Sequence, residues 1–560
     1  VGENAGRVRR GVPRVNGAGP RGETFDYVIV GAGAAGAALA GRLSSDPSVS
    51  VLLLEAGGVD KKTEIHIPAA FSALFRSDAD WNYDTVPQEQ LNGRRVYWPR
   101  GRVLGGSSSM NAMMWVRGFA ADYDGWAEAA GPTWSYGALL PYFRRVEKVQ
   151  SNVDTDQGSA GTMSIEAQRS PRSHTATFLA AAEQAGYAVV PPNSATPDGF
   201  SQTMVTQRRG SRFSTVDGYL TPAKGRPNLT VRTNAQATRV LFDGKRAVGV
   251  EHVADGSRAR VFARREVALC GGAVNTPQLL MLSGIGKADR LKSLGIDVVV
   301  DSPEVGSNLR DHVLSGLITE TTGDTLFTAK KPAQVLNYLV RRRGMLTSNV
   351  AEAYGFVRTQ PQLALPDIEI IFAPVAFIGE GLVPAPSEAI TIGAILLQPE
   401  STGVIDLESA DPFARPLIDP RYLTDAGGKD RATLTAGLAV CERILQQPAL
   451  RAVSGPHFLM PEGADTLSPA ERDAIAIERH AHTLYHPVGT ARMGVDAGSV
   501  VDEQLRVRGV DGLRVADASI MPMIIRGHTN APSIVIGEKA ADLLVESWAR
   551  GSQRAATART

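Results

Sequence analysis

The stretch FDYVIVGAGAAGAALAGRL, Phe25 to Leu43, decides the fold. FDYVIV is a short apolar run of strand type, and Gly31 ends it. The alanine-rich segment that follows carries Leu39 and Leu43 at helical spacing. VSVLLLEAG, ending at Gly57, reads as a second buried strand. Strand, glycine turn, helix and strand form a βαβ unit, whose strands run parallel. Gly31 permits the tight turn, Gly33 lets a pyrophosphate approach the backbone, and Gly36 lets the helix pack closely on the strand. Glu55 follows 19 residues after Gly36, where a carboxylate can accept from ribose hydroxyls. Order and spacing agree on a dinucleotide site at a helix N-terminus. They do not separate FAD from NAD, because both carry the ADP moiety.

Beyond this unit, RGRVLGGSSSMNAMMWVRG (Arg100 to Gly118) is rich in Gly, Ser and Arg. Adjacent glycines expose amides and Ser107, Ser108 and Ser109 add hydroxyls, so the loop suits a phosphate or a polar ring edge. NLTVRT, ATRVLF, AVGVEHV and RVFARREVALC, near Val231 to Val267, read as consecutive strands. AVNTPQLLMLSGIG then reads as a helix. Asp324 to Arg343 is mixed and ends in a basic cluster, Arg341, Arg342 and Arg343, of the kind that usually forms a solvated face. FIGEGLVPAPSEA (Phe377 to Ala389) breaks regular structure and reads as a surface loop or a lid. Ala389 to Leu407 reads as two strands, Arg431 to Leu445 as an amphipathic helix, and Arg514 to Leu544 as strand, loop and helix.

Composition narrows the function. The 560 residues carry 59 basic and 58 acidic side chains, a net charge of +1, which removes the electrostatic case for nucleic acid. Cys270 and Cys441 cannot build a disulfide framework or a cysteine-rich metal site, and His480 and His482 lack partners at metal spacing. No apolar run is long enough for a transmembrane helix. Residues 1–24 read as a basic arm without the apolar core of a secretory signal, and residues 549–560 as a similar tail. These features lead us to expect a cytoplasmic protein.

Three further segments complete the pattern: GGAVNTPQLLMLSGIG from Gly271, YHPVGTARMG from Tyr485, and RVADASIMPMIIRGHTNAPSIVIGEKAADLL from Arg514. With the glycine motif and the GGSSSMN loop, in this order, the chain resembles the glucose–methanol–choline (GMC) family of FAD-dependent oxidoreductases. Its GGSSSMNAMMWVRG stretch looks closest to the choline-dehydrogenase-like branch. The resemblance runs from about Phe25 to Leu544. It implies a mixed α/β fold: a Rossmann-like FAD-binding domain (residues 25–165, 215–315 and 483–548) and a substrate-binding domain with a sheet flanked by helices (166–214 and 316–482).

The resemblance also assigns residues. It gives cofactor binding to Gly31, Gly33, Gly36, Glu55, Ala56, Arg102, Gly105, Gly106, Ser109, Asn111, Ala112 and Met113. To these it adds Val240 as a backbone contact to adenine, and Tyr485, Asp517, Ala518, Asn530 and Pro532 around the flavin. Met110 stands where some relatives carry a histidine bonded to the flavin, and methionine cannot make that bond, so FAD is expected to be noncovalent. His486 matches the catalytic histidine and His528 its partner, which in relatives is His or Asn. A neutral imidazole can take the hydroxyl proton of an alcohol while a second polar group fixes the oxygen. Glu352 matches an acid that faces substrate in choline-oxidising relatives, and His312 is expected to help close the FAD domain.

The expected reaction is oxidation of an alcohol to an aldehyde or ketone, by hydride transfer to flavin N5 with proton loss to His486. Oxygen, or a quinone or carrier, then reoxidises the flavin, with a lean toward the carrier. Alternatives are a lyase-type flavoprotein without net redox chemistry and a choline-specific dehydrogenase. The photodecarboxylase branch is disfavoured, because its Cys near Ala351 and Arg near Gln398 are absent and His486 is present. Monomer and homo-oligomer both stay open.

Overall fold

A computed structural model describes residues 22–150, 156–194 and 197–557. The Phe25 run forms the strand Glu23–Val30, followed by the helix Ala34–Leu43 and the strand Val51–Leu54. Both neighbours of Glu23–Val30, Val51–Leu54 and the long strand Ser257–Leu269, run parallel to it. All its residues from Asp26 on are buried, as expected for a strand covered on both faces. Across the sheet the order is Leu229–Arg232, Val51–Leu54, Glu23–Val30, Ser257–Leu269, Arg246–Ala254, Ala235–Asp243. Leu513–Val515 adds parallel to the upper end of Ser257–Leu269. Of the four strands read near Val231 to Val267, three form an antiparallel meander. The first does not join them. Leu229–Arg232 crosses to the opposite edge and pairs parallel with Val51–Leu54.

Gly36 shows why this turn needs glycine. A side chain there would drive its Cβ into the carbonyl oxygen of Gly31 and against Cys270. The helix therefore lies directly on the strand end, with its first-turn amides, which have no helical acceptor, at the strand's C-terminal edge.

A second, antiparallel sheet stands beside the first. Its order is Ala353–Val357, Ile368–Ala373, Ala389–Leu396, Val313–Thr321, Ser454–Met460, and His482–Thr483 pairs with Val313–Thr321. The helix Lys429–Leu445 covers it through Leu434, Leu438 and Cys441, and Gly437 admits Ala394 and Ile368 close to its backbone. One cavity is walled by both sheets.

Two terminal expectations change. The arm of residues 1–24 lies outside the described residues except for its end, where Glu23 and Thr24 already belong to the first strand. The tail from 549 is not irregular, because the last helix runs from Asn530 to Thr557. No helix among the described residues is long and apolar enough to cross a membrane.

Candidate active site

The cavity begins at the glycine turn. Gly31, Gly33, Ala34, Ala35, Glu55 and Ala56 line it, and so do Gly106, Ser107 and Ser108 of the second loop. A Cβ on Gly106 would lie 2.8 Å from Gly33 Cα, so the two loops touch through backbone alone. Glu55 is buried; it accepts from Ala32 N at 3.0 Å and Gly57 N at 2.8 Å. Burial raises its carboxyl to about 7 against those hydrogen bonds and the nearby Arg102. Asp517 lines the cavity and accepts from Gly272 N, Thr276 Oγ1 and Ser519, while burial pushes its carboxyl up. Asn111, Ala112 and Met113 form one wall, with Met110 beside them. Arg212, buried and lowered to about 9 by desolvation, braces that loop by donating to Asn111 Oδ1 at 2.7 Å and Ser108 O at 3.2 Å. Ala518, Thr529, Asn530 and Ser533 complete the wall where the last helix begins.

This surface fits a dinucleotide. Backbone-floored glycines, a buried carboxylate beside the second strand and two helix starts face one space. Tyr485, held at φ +68°, lines the same space with its buried hydroxyl lacking any partner among the described residues.

The far end holds the histidines. His486 and His528 line the cavity with ring centroids 4.8 Å apart. His486 is placed through its backbone, whose N–H donates to Asp311 Oδ1 at 2.8 Å. Asp311 is also held by Thr483 and Tyr422, and burial raises its carboxyl. The next residue, His312, reaches the His486 ring, Nδ1 to Nδ1, at 2.9 Å. His312 Nε2 lies 3.1 Å from Leu397 O, which can only accept. Burial drives His312 down to about 3, so the ring is neutral with its proton on Nε2. Its Nδ1 is then an acceptor, and His486 must donate from Nδ1. Burial first, then His528, His312 and Arg100, hold His486 well below its ordinary value, so it too is neutral. The Nε2 of His486 is left with a lone pair and no protein partner among the described residues.

His528 is positioned differently. Its Nε2 donates to Glu369 Oε1 at 2.9 Å, leaving Nδ1 without a partner among the described residues. Glu369 sits on the strand Ile368–Ala373 with no exposed surface, and its other oxygen has no partner.

Sequence reading missed both supporting groups. His312 was expected only to close a domain, but it touches His486. Glu369 carried a readable signal, a lone acid in the buried run IEIIFA, where a carboxylate needs a partner. Other expectations shift. Glu352 does not face the cavity: it is fully buried and accepts from Arg172 N, Thr175 Oγ1 and Ser348 Oγ. Val240 is also off the cavity, because its N–H donates to Ser283 Oγ at 2.9 Å; Ala235, Gln236 and Ala237 line the wall instead. Arg102 packs over Trp81 and lines a small neighbouring pocket. Gly36, Gly105, Ser109 and Pro532 lie behind the lining, where they shape it without facing it; Ser109 Oγ, for example, donates to Leu104 O. Among the described residues no group of His, Cys, Asp and Glu could hold a metal ion.

Comparison with known proteins agrees with this geometry. Two family models described as GMC oxidoreductase match residues 25–314 and 399–537. An uncharacterized GMC-type oxidoreductase of Mycobacterium tuberculosis is 59% identical over 93% of this chain and 99% of its own length. Mitochondrial choline dehydrogenase of Homo sapiens is 42% identical, over 93% and 90%. The crystal structure of pyridoxine 4-oxidase from Mesorbium loti superposes with a TM-score of 0.83 at 32% identity, covering 92% of this chain and 98% of that one.

Proposed function

Because the chain belongs to the GMC family of FAD-dependent oxidoreductases, we propose that it oxidises an alcohol to an aldehyde or ketone, with His486 Nε2 taking the hydroxyl proton. The observation that carries this reading is the hydrogen-bond chain Leu397 O, His312, His486, which leaves one imidazole lone pair of His486 without a partner among the described residues. His528 holds the substrate oxygen. With Nε2 held by Glu369, Nδ1 is the ring nitrogen left for that oxygen. The fixed oxygen and the fixed base together orient the alcohol's carbon, which supplies several kcal/mol toward the barrier. FAD, when bound, supplies the acceptor for the carbon-bound hydride.

Gly31, Gly33, Glu55, Ala56, Gly106, Asn111, Ala112, Met113, Tyr485, Asp517, Ala518 and Asn530 would hold that cofactor, since all of them line the cavity. Met110 is buried among Ile65, Phe71, Phe75 and Tyr97 and offers no nucleophile, which supports noncovalent FAD. The substrate itself is uncharged on this reading. Leu314, Val350, Ala351, Ile371, Ala373 and Phe377 give the cavity apolar walls. Its lining carboxylates among the described residues, Glu55 and Asp517, already accept from protein donors. A choline-specific enzyme would need a carboxylate facing the headgroup, and Glu352 is turned away from the cavity.

The test is an anaerobic titration of the flavin spectrum with aryl, aliphatic and choline alcohols. An uncharged alcohol is expected to bleach it, and His486→Ala to slow bleaching by about 10²–10⁴-fold. Bleaching at the wild-type rate in that variant would remove His486 from the role. Bleaching by choline alone would overturn the uncharged-substrate reading. Admitting air then reads the acceptor, with fast recovery meaning oxidase and slow recovery a quinone or carrier.

A further inference from the structure

We propose that the outward face of the helix Pro332–Arg341 is a docking surface for an anionic lipid bilayer. The helix is amphipathic in the reverse of the usual sense. At about 100° per residue, Pro332, Ala333, Val335, Leu336, Leu339 and Val340 fill one arc of roughly 160°. That arc faces solvent: Leu336 is 63% exposed, Leu339 60% and Val340 72%. The polar side faces the protein. Tyr338 is buried and donates to His66 O at 3.2 Å, and Asn337 donates to Arg343 O at 3.2 Å. Scattered exposed leucines need no explanation, but a whole apolar helix face turned to water does.

Two further observations select the occupant. First, a second segment, Leu382 and Val383, also exposes apolar side chains. Its neighbour Gly381 abuts Ser72 of the short helix Pro68–Leu74, and Ile67 and Ala69, at the entry to that helix, pack against the cluster of Ala329, Tyr338 and Leu346. Phe71 of the same short helix lines the cavity, as does Phe377. Second, along the helix and its flanks, residues 325–351, the charge is of one sign. Lys330, Lys331, Arg341, Arg342 and Arg343 flank the arc, are exposed, and have no salt-bridge partner among the described residues. No acidic residue occurs from Thr325 to Ala351. A second copy of the chain would bring two such basic clusters together without an acid between them. An anionic headgroup layer meets the cations while the acyl boundary takes the apolar arc, the pattern of interfacial helices.

The test uses the FAD-loaded full chain and sedimentation with vesicles of phosphatidylglycerol and phosphatidylcholine (1:1), or of phosphatidylcholine alone. Wild type is expected to bind the mixed vesicles, more weakly as salt rises, and to bind neutral vesicles less. Leu336→Glu with Leu339→Glu should lower binding at least about tenfold. It should leave turnover of a water-soluble alcohol with a soluble acceptor unchanged, which also shows that the variant is folded. Arg341→Gln, Arg342→Gln and Arg343→Gln together should flatten the salt dependence. Wild type remaining in the supernatant with both vesicles would overturn the proposal. So would binding that the leucine variant retains, equal binding to neutral vesicles, or a wild-type dimer by sedimentation velocity that the leucine variant abolishes in the absence of lipid.

Discussion

Leu397 O can only accept a hydrogen bond, and that restriction passes through two rings to set which nitrogen of His486 is free. Glu352 illustrates the opposite fate for a polar side chain. Three donors converge on its carboxylate, from Arg172, Thr175 and Ser348, and it is fully buried. Glu352→Gln would aim an amide NH₂ at one of those donors. We expect a loss of about 1–3 kcal/mol in urea unfolding, with KM for the best alcohol and for choline unchanged. A choline KM that rises tenfold at unchanged stability would return Glu352 to the substrate. His486 and His528 were legible because each lies in a motif with its neighbours in order. His312 carried no such signal, and the lone acid Glu369 in its buried run showed that a partner was needed without naming it, because the partners lie 174 and 159 residues away in sequence.

Among elements, the glycine turn and the Gly105–Gly106 loop form a single contact. Gly106 has φ +53°, and a Cβ would sit 2.8 Å from Gly33 Cα. Gly106→Ala would add backbone strain of about 1–2 kcal/mol and push the two loops apart. The expected result is a folded protein that loses flavin on gel filtration, with FAD affinity down at least about tenfold, read from the 450 nm absorbance per chain. Unchanged flavin content would mean the contact does not shape the cofactor site. The βαβ unit could be read from sequence because its period, glycines and acid agree. The second sheet could not, since its order places Val313–Thr321 between strands far later in the chain. The Pro332–Arg341 helix was hidden in a mixed segment for a plain reason: its apolar stripe points outward, so periodicity could not predict what it packs against.

For the whole molecule, the buried histidines make stability depend on pH. His312 titrates near 3 when folded, and His486 also lies far below the ordinary value of about 6.5. Below pH 6.5 the unfolded chain binds protons at both positions while the native chain does not, so unfolding takes up protons and stability falls with pH. Each ring contributes a slope approaching about 1.4 kcal/mol per pH unit. Glu55, raised to about 7, opposes this, gaining stability as pH falls toward its unfolded value near 4.5. A comparison therefore isolates the effect: between pH 6 and 4.5, His312→Asn should lose stability less steeply than wild type, by about 1.4 kcal/mol per unit. Parallel curves would show that His312 is already protonated in the native protein. The two ends of the cavity also differ in what forms their walls. Backbone presses on backbone at Gly31, Gly33 and Gly106, whereas side chains from the antiparallel sheet, Leu314, Ile371 and Ala373 among them, line the rest. Inherited variation meets these walls unequally. A lineage can exchange the side-chain wall one residue at a time and try new substrates, while nearly every change at the backbone wall is purged, so descendants of this chain should diversify in diet while keeping their coenzyme.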